Sequence, residues 1–428
     1  MLWRPLKSSF IPPQNPGVSG FCALLLLFTP ASLFADPAPK CDPDLLKAIS
    51  KPSGFSPALQ QWLDWETTPA LRGLDPEFKS SQVPITLVNR SLVDVRAVGA
   101  LPSEVEKLFL HDSKVLWAKH PYNRRKDVPF FNFPVLQETL TGYHTASRSM
   151  VFSFDGKAFG IKMPTDHPFG PGRAEQANKA YPKDSMLSSM RRAKIIEQVD
   201  QKLGADPDLI LLRDILTITD KKTGNGIAIR DLRALQDGNL YFPAHLIPVA
   251  GEDLAKKNGA GFSEFFKTAW ARPLGVIQAK LLIRYGMEYN PINPQNFLIQ
   301  LDANFKPTGK LACRDLGDIF QVETVSRRIG LGPEVDADIS LGLKTFKTAA
   351  PAEKSETLTW GFNLSGKNLL LPVTRQAWLD AHDEGLTGEI ERLLNVKYPK
   401  TQGTYIMEKF LERPEIQEAL ARFHRLPK

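Results

Sequence analysis

Three polar residues stand where a chain can do chemistry. Lys162 closes a short apolar run at 158–163, just after the turn Asp155-Gly156. A lysine at the end of such a strand can project its charge into a cleft and hold a phosphate. Asn296 precedes another apolar run at 297–301 and ends a loop, 290–295, that contains two prolines. Asp315 follows a third run at 310–313 and opens Asp315-Leu316-Gly317-Asp318. Two adjacent strands would thus present an amide and a carboxylate at one edge. That pair suits Mg²⁺ held between triphosphate oxygens. No Walker A loop, Gly-x-Gly-x-x-Gly or Gly-x-Ser-x-Gly accompanies them, so the usual phosphate loops and the serine-hydrolase elbow are excluded.

The surrounding motifs, in this order, resemble those of the siderophore synthetases of the IucA/IucC type. These are NRPS-independent ligases that join a carboxylic acid to an amine or alcohol through an acyl-adenylate. His120-Pro121-Tyr122-Asn123 is similar to the family's His-Pro-Trp-Gln. Ala146-Ser147-Arg148-Ser149 is similar to its Ser-x-Arg-Thr phosphate grip, and Ile161-Lys162-Met163-Pro164 to its Lys-Leu-Pro-Leu strand. Leu187-Ser188-Ser189-Met190-Arg191-Arg192 is similar to its Ile-Thr-Ser-x-x-Arg. Tyr285-Gly286-Met287 followed by Asn293-Pro294-Gln295-Asn296 is similar to its His-Gly-Ile … Glu-x-His-x-Gln-Asn, and Arg314-Asp315-Leu316-Gly317 to its Arg-Asp-x-x-Gly. The resemblance spans 120–320. It implies that Arg148, Ser149, Lys162, Gln295, Asn296 and Asp315 hold ATP, with Asn296 and Asp315 as ligands of Mg²⁺. It also implies that Ser188 and Arg192 hold a small-molecule carboxylate and carry the catalytic role. Ala146 and Asn293 stand where the family has Ser and His, and Pro291 (or Asn290) where it has an acidic metal ligand.

A second resemblance is to protein kinases. Residues 290–298 (NPINPQNFL) are similar to the catalytic loop that ends in Asn, with Lys162 as the strand lysine. The catalytic Asp would lie five residues before Asn296, and that position is Pro291. Both resemblances imply one nucleotide grip. Ligation of a carboxylate is the first reading. The alternatives are a kinase-like phosphotransferase and a non-catalytic exported binding protein with a degenerate nucleotide site.

The elements that must position these residues follow from periodicity. Leu59, Trp62 and Trp65 predict a helix over 57–66. A strand is expected at 84–89, and a short helix at 103–110 with Ser103 as cap and Glu106 closing a capping box. Asp155-Gly156 between apolar runs predicts a hairpin over 148–163. A basic amphipathic helix is expected over 185–203, then strands at 209–219 and 226–230. The stretch 262–285 carries strong helical spacing, capped by Ser263 and divided or kinked at Pro273. Helices are expected over 376–394 and 404–424. Helices after a sheet-rich middle imply an α+β fold: central antiparallel hairpins, a nucleotide-type cleft and a mainly helical C-terminal part.

Bulk properties set the frame. The chain of 428 residues is 42% hydrophobic and 24% charged, an ordinary globular composition. Its net charge of +7 is spread along the chain, which suits an anionic small molecule and gives no nucleic-acid patch. Arg4 and Lys7 precede the apolar run 21–28, and Ala35 stands before Asp36-Pro37. That pattern reads as a cleaved export signal, since the run is far short of the roughly 20 residues that span a bilayer. The expected location is periplasmic or secreted, without a stable membrane span after cleavage. The expected organisation is a signal at 1–35, a mixed region at 36–119, the ATP-binding core at 120–330 and a helical region at 331–428. After loss of Cys22, Cys41 and Cys313 could pair or stay as thiols. The seven His have no metal-ligand spacing.

Overall fold

A computed structural model describes residues 49, 54–66, 80–123, 128–146, 148–165, 183–289, 292–343, 345–346, 372–398 and 406–425. The expected leader at 1–35, Cys41, Ser147, the loop 167–172 and the positions Asn290 and Pro291 lie outside the described residues.

In chain order the first elements are helix α1 (Pro57–Glu66), β1 (Ser80–Asn89), β2 (Val93–Ala97), helix α2 (Ser103–Phe109) and β3 (Lys114–Ala118). Next come β4 (Thr139–Ala146), β5 (Ser149–Phe154), β6 (Lys157–Lys162) and helix α3 (Lys183–Leu203). Then follow β7 (Ile210–Leu211), β8 (Asp214–Asp220) and β9 (Gly226–Asp231). All but β7 of these strands form one antiparallel sheet in the order β2-β8-β9-β6-β5-β4-β1-β3. The β5–β6 hairpin turns at Asp155 and Gly156, both at positive φ (47° and 73°), as an Asp-Gly hairpin turn requires. β1 starts earlier than expected and changes partner along its length. Residues 80–84 pair with β4 and 85–89 with β3. Pro84 sits at the changeover, where its missing N–H costs no ladder bond.

The C-terminal part begins with β10 (Leu240–Pro243), α4 (Ile247–Lys257), α5 (Phe262–Phe266) and α6 (Arg272–Tyr285). β11 (Met287–Glu288), β12 (Phe297–Leu301), β13 (Pro307–Cys313) and β14 (Phe320–Val322) follow. It ends with α7 (Glu323–Arg328), α8 (Gly332–Ser340), β15 (Thr345–Phe346), α9 (Pro372–Leu394), α10 (Ile406–Leu411) and α11 (Pro414–Arg425). A second sheet runs β10-β12-β13-β7, and a small third one β11-β14-β15. The architecture is α+β, with antiparallel hairpins followed by helices.

Several expected elements divide, each for a stated reason. The strand at 209–219 becomes β7 and β8 because the chain changes sheets at Leu212-Arg213. The Leu212 N–H donates to Cys313 O in the second sheet, and Arg213 O accepts from Asp231 N in the first. The long helix splits into α5, a wide turn at Lys267–Ala271 and α6, where Pro273 occupies the first turn. Pro414 likewise separates α10 from α11. Ser103 and Ser263 are not caps. The cap positions are Pro102 and Gly261, and the Ser103 hydroxyl donates to Glu104 instead, at 3.3 Å.

Apolar faces meet in three places. Met150, Phe152, Phe159, Ile161, Ile227 and Ile229 cover one face of the large sheet and pack with α2 and β3. The helices α3–α7 and α9–α11 and the inner face of the second sheet enclose the largest core, around Trp270, Leu281 and Trp378. Between the sheets, α1 inserts Leu59, Trp62 and Leu63 against Val151, Leu212, Leu298 and Ala312. Among the described residues no helix is long and apolar enough to cross a membrane.

Candidate functional site

Strand parity builds one wall of the site. Along β6 the side chains of Phe159 and Ile161 enter the core, so Lys162 falls on the opposite face. The register places Ser149 opposite Lys162, Arg230 opposite Gly160 and Asp214 opposite Arg230. Ser149, Lys162, Arg230 and Asp214 therefore share the face turned from that core. The β12–β13 hairpin supplies the other wall. Phe297 pairs with Cys313, so Asn296 and Arg314 leave the ladder side by side, and the Arg314 N–H donates to Asn296 O at 2.9 Å.

The two walls meet at Asp315. Lys162 Nζ lies 3.1 Å and Arg230 Nη2 2.6 Å from Asp315 Oδ1. Arg230 Nε also donates to Asp214 Oδ1 at 2.7 Å, and the Ser189 hydroxyl donates to Asp214 Oδ2 at 2.6 Å. Asp315 takes a left-handed conformation (φ 58°, ψ 52°), a region Asp tolerates better than most residues but still at a cost. The ion pairs over-determine that conformation. Burial raises the Asp315 pKa, but Arg230, Lys162 and Arg314 outweigh it and hold the carboxyl well below the usual range. The turn continues to Asp318, whose Oδ2 accepts from Asn296 Nδ2 at 3.2 Å. Partial burial and then the Asp315 carboxylate push Asp318 up.

The other expected residues are placed as follows. Ser149 stands beside Lys162 in the ladder, and Arg148 precedes it, its O accepting from Met163 N at 2.7 Å. Gln295 is exposed at the rim, and its O accepts from Arg314 Nε at 2.8 Å. Ser188 and Arg192 hydrogen-bond neighbouring elements. The Ser188 hydroxyl donates to Gly317 O at 3.2 Å, and Arg192 Nε to Ile319 O at 3.2 Å. The Arg192 side chain is 1% exposed and pairs with Asp338 at 2.5 Å. Its donors thus anchor α3 to the Asp315 turn and to α8 instead of facing a cleft.

Sequence reading missed Arg230, Asp214, Asp318 and Glu66. Arg230 ends a strand that reads as ordinary alternation, so nothing local marks it. Glu66, the last residue of α1, is buried and pairs with Arg314 Nη1 at 2.7 Å, while Trp62 Nε1 donates to it at 3.1 Å. That carboxylate neutralises Arg314 and ties α1 to the site. A void of about 20 Å³ remains between Trp62, Lys162, Arg230 and Arg314, roughly room for one water. A triphosphate would therefore lie on the solvent side, where the Lys162 and Asp315 side chains are 18% and 23% exposed.

The oxygen donors near the turn are Asn296, Asp315 and Asp318, a hard-ligand set. It fits Mg²⁺ in its usual mode, with one or two carboxylates plus phosphate and water oxygens. Among the described residues no group of three or more His, Cys, Asp or Glu is arranged to hold a metal by itself. Cys313 is a buried free thiol, and burial pushes its pKa above the ordinary value.

No protein-family model matches this chain, and no curated protein does. Solved structures do. Aerobactin synthetase IucC from Klebsiella pneumoniae is 14% identical, over 88% of this chain and 75% of that one, with a TM-score of 0.49. The ATP-bound aerobactin synthetase IucA of the same organism is 13% identical, over 88% and 76%, at 0.48. The petrobactin biosynthesis protein AsbB from Bacillus anthracis is 13% identical, over 89% and 72%, at 0.46. Another IucA structure is spanned to only 65% of its length. At identities of 13–14% the chemistry must be argued from the site.

Proposed function

We propose that this chain binds Mg-ATP and uses it to join a small carboxylate to an amine or alcohol through an acyl-adenylate. The observation that supports this is the meeting of Lys162 with Asp315, 153 residues apart, beside Asn296 and Asp318. Without nucleotide, Lys162 and Arg230 both spend charge on one carboxylate oxygen. With nucleotide, Lys162 would pass to a phosphate oxygen, and Arg230 keeps Asp214 as partner. Asp315 would keep Arg230 and, released from Lys162, could with Asn296 and Asp318 hold Mg²⁺, which would supply charge neutralisation between phosphates.

In the first step a substrate carboxylate oxygen attacks the α-phosphorus and pyrophosphate leaves. In the second the amine or alcohol attacks the acyl carbon, AMP leaves and the nucleophile gives up its proton. The protein's part is charge placement in a fixed geometry, with no protein nucleophile. Export by the leader read at 1–35 belongs to the same proposal and rests on the sequence alone.

The test is a thermal-shift titration with Mg-ATP, followed by product analysis with carboxylate and amine present. Binding to the native state raises the melting temperature by mass action. The expected result is a shift in the wild type that Lys162→Ala loses while staying folded, with AMP and pyrophosphate as products. No shift in the folded wild type removes the nucleotide reading, and ADP as product replaces ligation by phosphotransfer.

A further inference from the structure

Ser188 and Arg192 hydrogen-bond the Asp315 turn, and a second counter-charge for a carboxylate stands elsewhere. Lys119 follows β3 and is 9% exposed, yet no carboxylate among the described residues faces it. Its Nζ donates to two backbone oxygens, Phe131 O at 3.2 Å and Phe133 O at 2.7 Å. An ammonium has three donors, so one remains. A buried charge without an opposite charge is costly and is seldom kept without a use. Burial alone lowers its pKa, and no anion restores it.

The same lysine lines a pocket of about 170 Å³, walled by Trp117, His120, Val128, Phe131 and Pro164. The pocket is separate from the ion-paired turn but close to it. Pro164 lies two residues beyond Lys162, about 7 Å of extended chain. Asn123 Nδ2, from the loop after His120, donates to Pro164 O at 3.3 Å and ties the pocket to the end of β6.

We propose that this pocket binds a small monocarboxylate, its carboxyl paired with the Lys119 ammonium and its apolar part against Trp117, Val128 and Phe131. The lining sets the class. Among the described lining residues Lys119 carries the one ammonium, beside the His120 ring, the Asn123 amide and aromatic, proline and aliphatic walls, so a second or third carboxylate would meet less counter-charge there. A volume of about 170 Å³ is many times the void beside Lys162 and has room for a small organic acid. That the bound acid is also the acyl donor rests on the ligase reading. Binding itself does not.

The experiment measures butyrate and benzoate binding by calorimetry and thermal shift, with succinate as the dianion, each with and without Mg-ATP. Two variants separate the pocket from a mere loop staple. Lys119→Met removes the charge. Val135→Trp fills the mouth from a position that is 55% exposed, where a larger side chain should leave the fold intact. The expected result is a monocarboxylate that binds the wild type and weakens more than tenfold in both variants, with succinate weaker throughout. Equal binding in wild type and Val135→Trp overturns the proposal, as does no monocarboxylate binding to a folded wild type. Carboxylate binding with no response to Mg-ATP upholds the pocket and removes the nucleotide reading, so the two can fail apart.

Discussion

Asp315 concentrates the electrostatics of the site, so its protonation can be read from stability. Its carboxylate faces Arg230 and Lys162, which hold its folded pKa well below the unfolded value near 3.8. A depressed carboxyl stabilises the fold fully above the unfolded pKa and loses that contribution as pH falls through the folded one. Asp315→Asn should therefore cost about 2 kcal/mol at pH 7, less than a fully buried pair because Lys162 and Asp315 are partly solvated. The gap to wild type should narrow as pH falls below about 3.8 toward the depressed folded pKa. Urea denaturation from pH 2 to 8 checks this, and a gap that does not depend on pH would mean packing is responsible. Lys162, Asn296 and Asp315 were legible in the sequence because each stands at one end of an apolar run, next to a turn or loop. Arg230 was not, since an arginine closing a strand usually meets water, and only the neighbouring β8 and the distant Asp315 turn make it internal. Arg192 shows the converse. Its motif suggested a substrate contact, but its partner Asp338 is 146 residues away and no local pattern reveals it.

At the scale of elements, the helical half depends on how closely α6 and α9 approach. A Cβ on Gly275 would stand 2.1 Å from His382 O, and one on Gly385 2.2 Å from Arg272 O. Both obstacles are backbone, which cannot rotate away. Gly275→Ala should cost more than the typical overpacking penalty of about 1–3 kcal/mol, and Gly275→Ala with Gly385→Ala more again. Chemical denaturation measures it, and a change below about 0.5 kcal/mol would show that the helices can part freely. The tight crossing has a reach beyond itself. The buried His382 of α9 hydrogen-bonds Gln278, whose Nε2 donates to Tyr289 O at 3.4 Å, and the Tyr289 hydroxyl donates to Arg314 O, one residue before Asp315. The helices were legible because their apolar spacing is local. Their partners were not. In the order β2-β8-β9-β6-β5-β4-β1-β3 only β8–β9, β6–β5 and β5–β4 are consecutive in sequence, and the sites where β2 meets β8 or β1 changes partner depend on contacts that no short window contains.

At the scale of the whole molecule, the two sheets are joined through charged side chains as well as apolar ones. Glu66 on α1, Arg314 after β13, Arg230 on β9 and Asp315 form a chain across the gap between them. A site of this kind needs the segments after the leader to be folded, whatever becomes of the leader itself. Residues 1–35 carry Arg4 and Lys7, no acidic residue, an apolar run at 21–28 and Ala35 before Asp36. Eight apolar residues cannot span a hydrocarbon core that takes about 20, and the proposed use of such a run is an export signal. Expression in a cell with a secretory pathway should then yield a protein that begins at Asp36, recovered outside the cytoplasm. Leu25→Arg, which places a charge in the middle of the run, should leave Met1 in place and the protein inside. Intact-mass measurement of both fractions decides it. Full-length chain held in the membrane fraction would make residues 1–35 an anchor, and full-length chain free in the cytoplasm would end the export proposal and place the site where ATP is abundant.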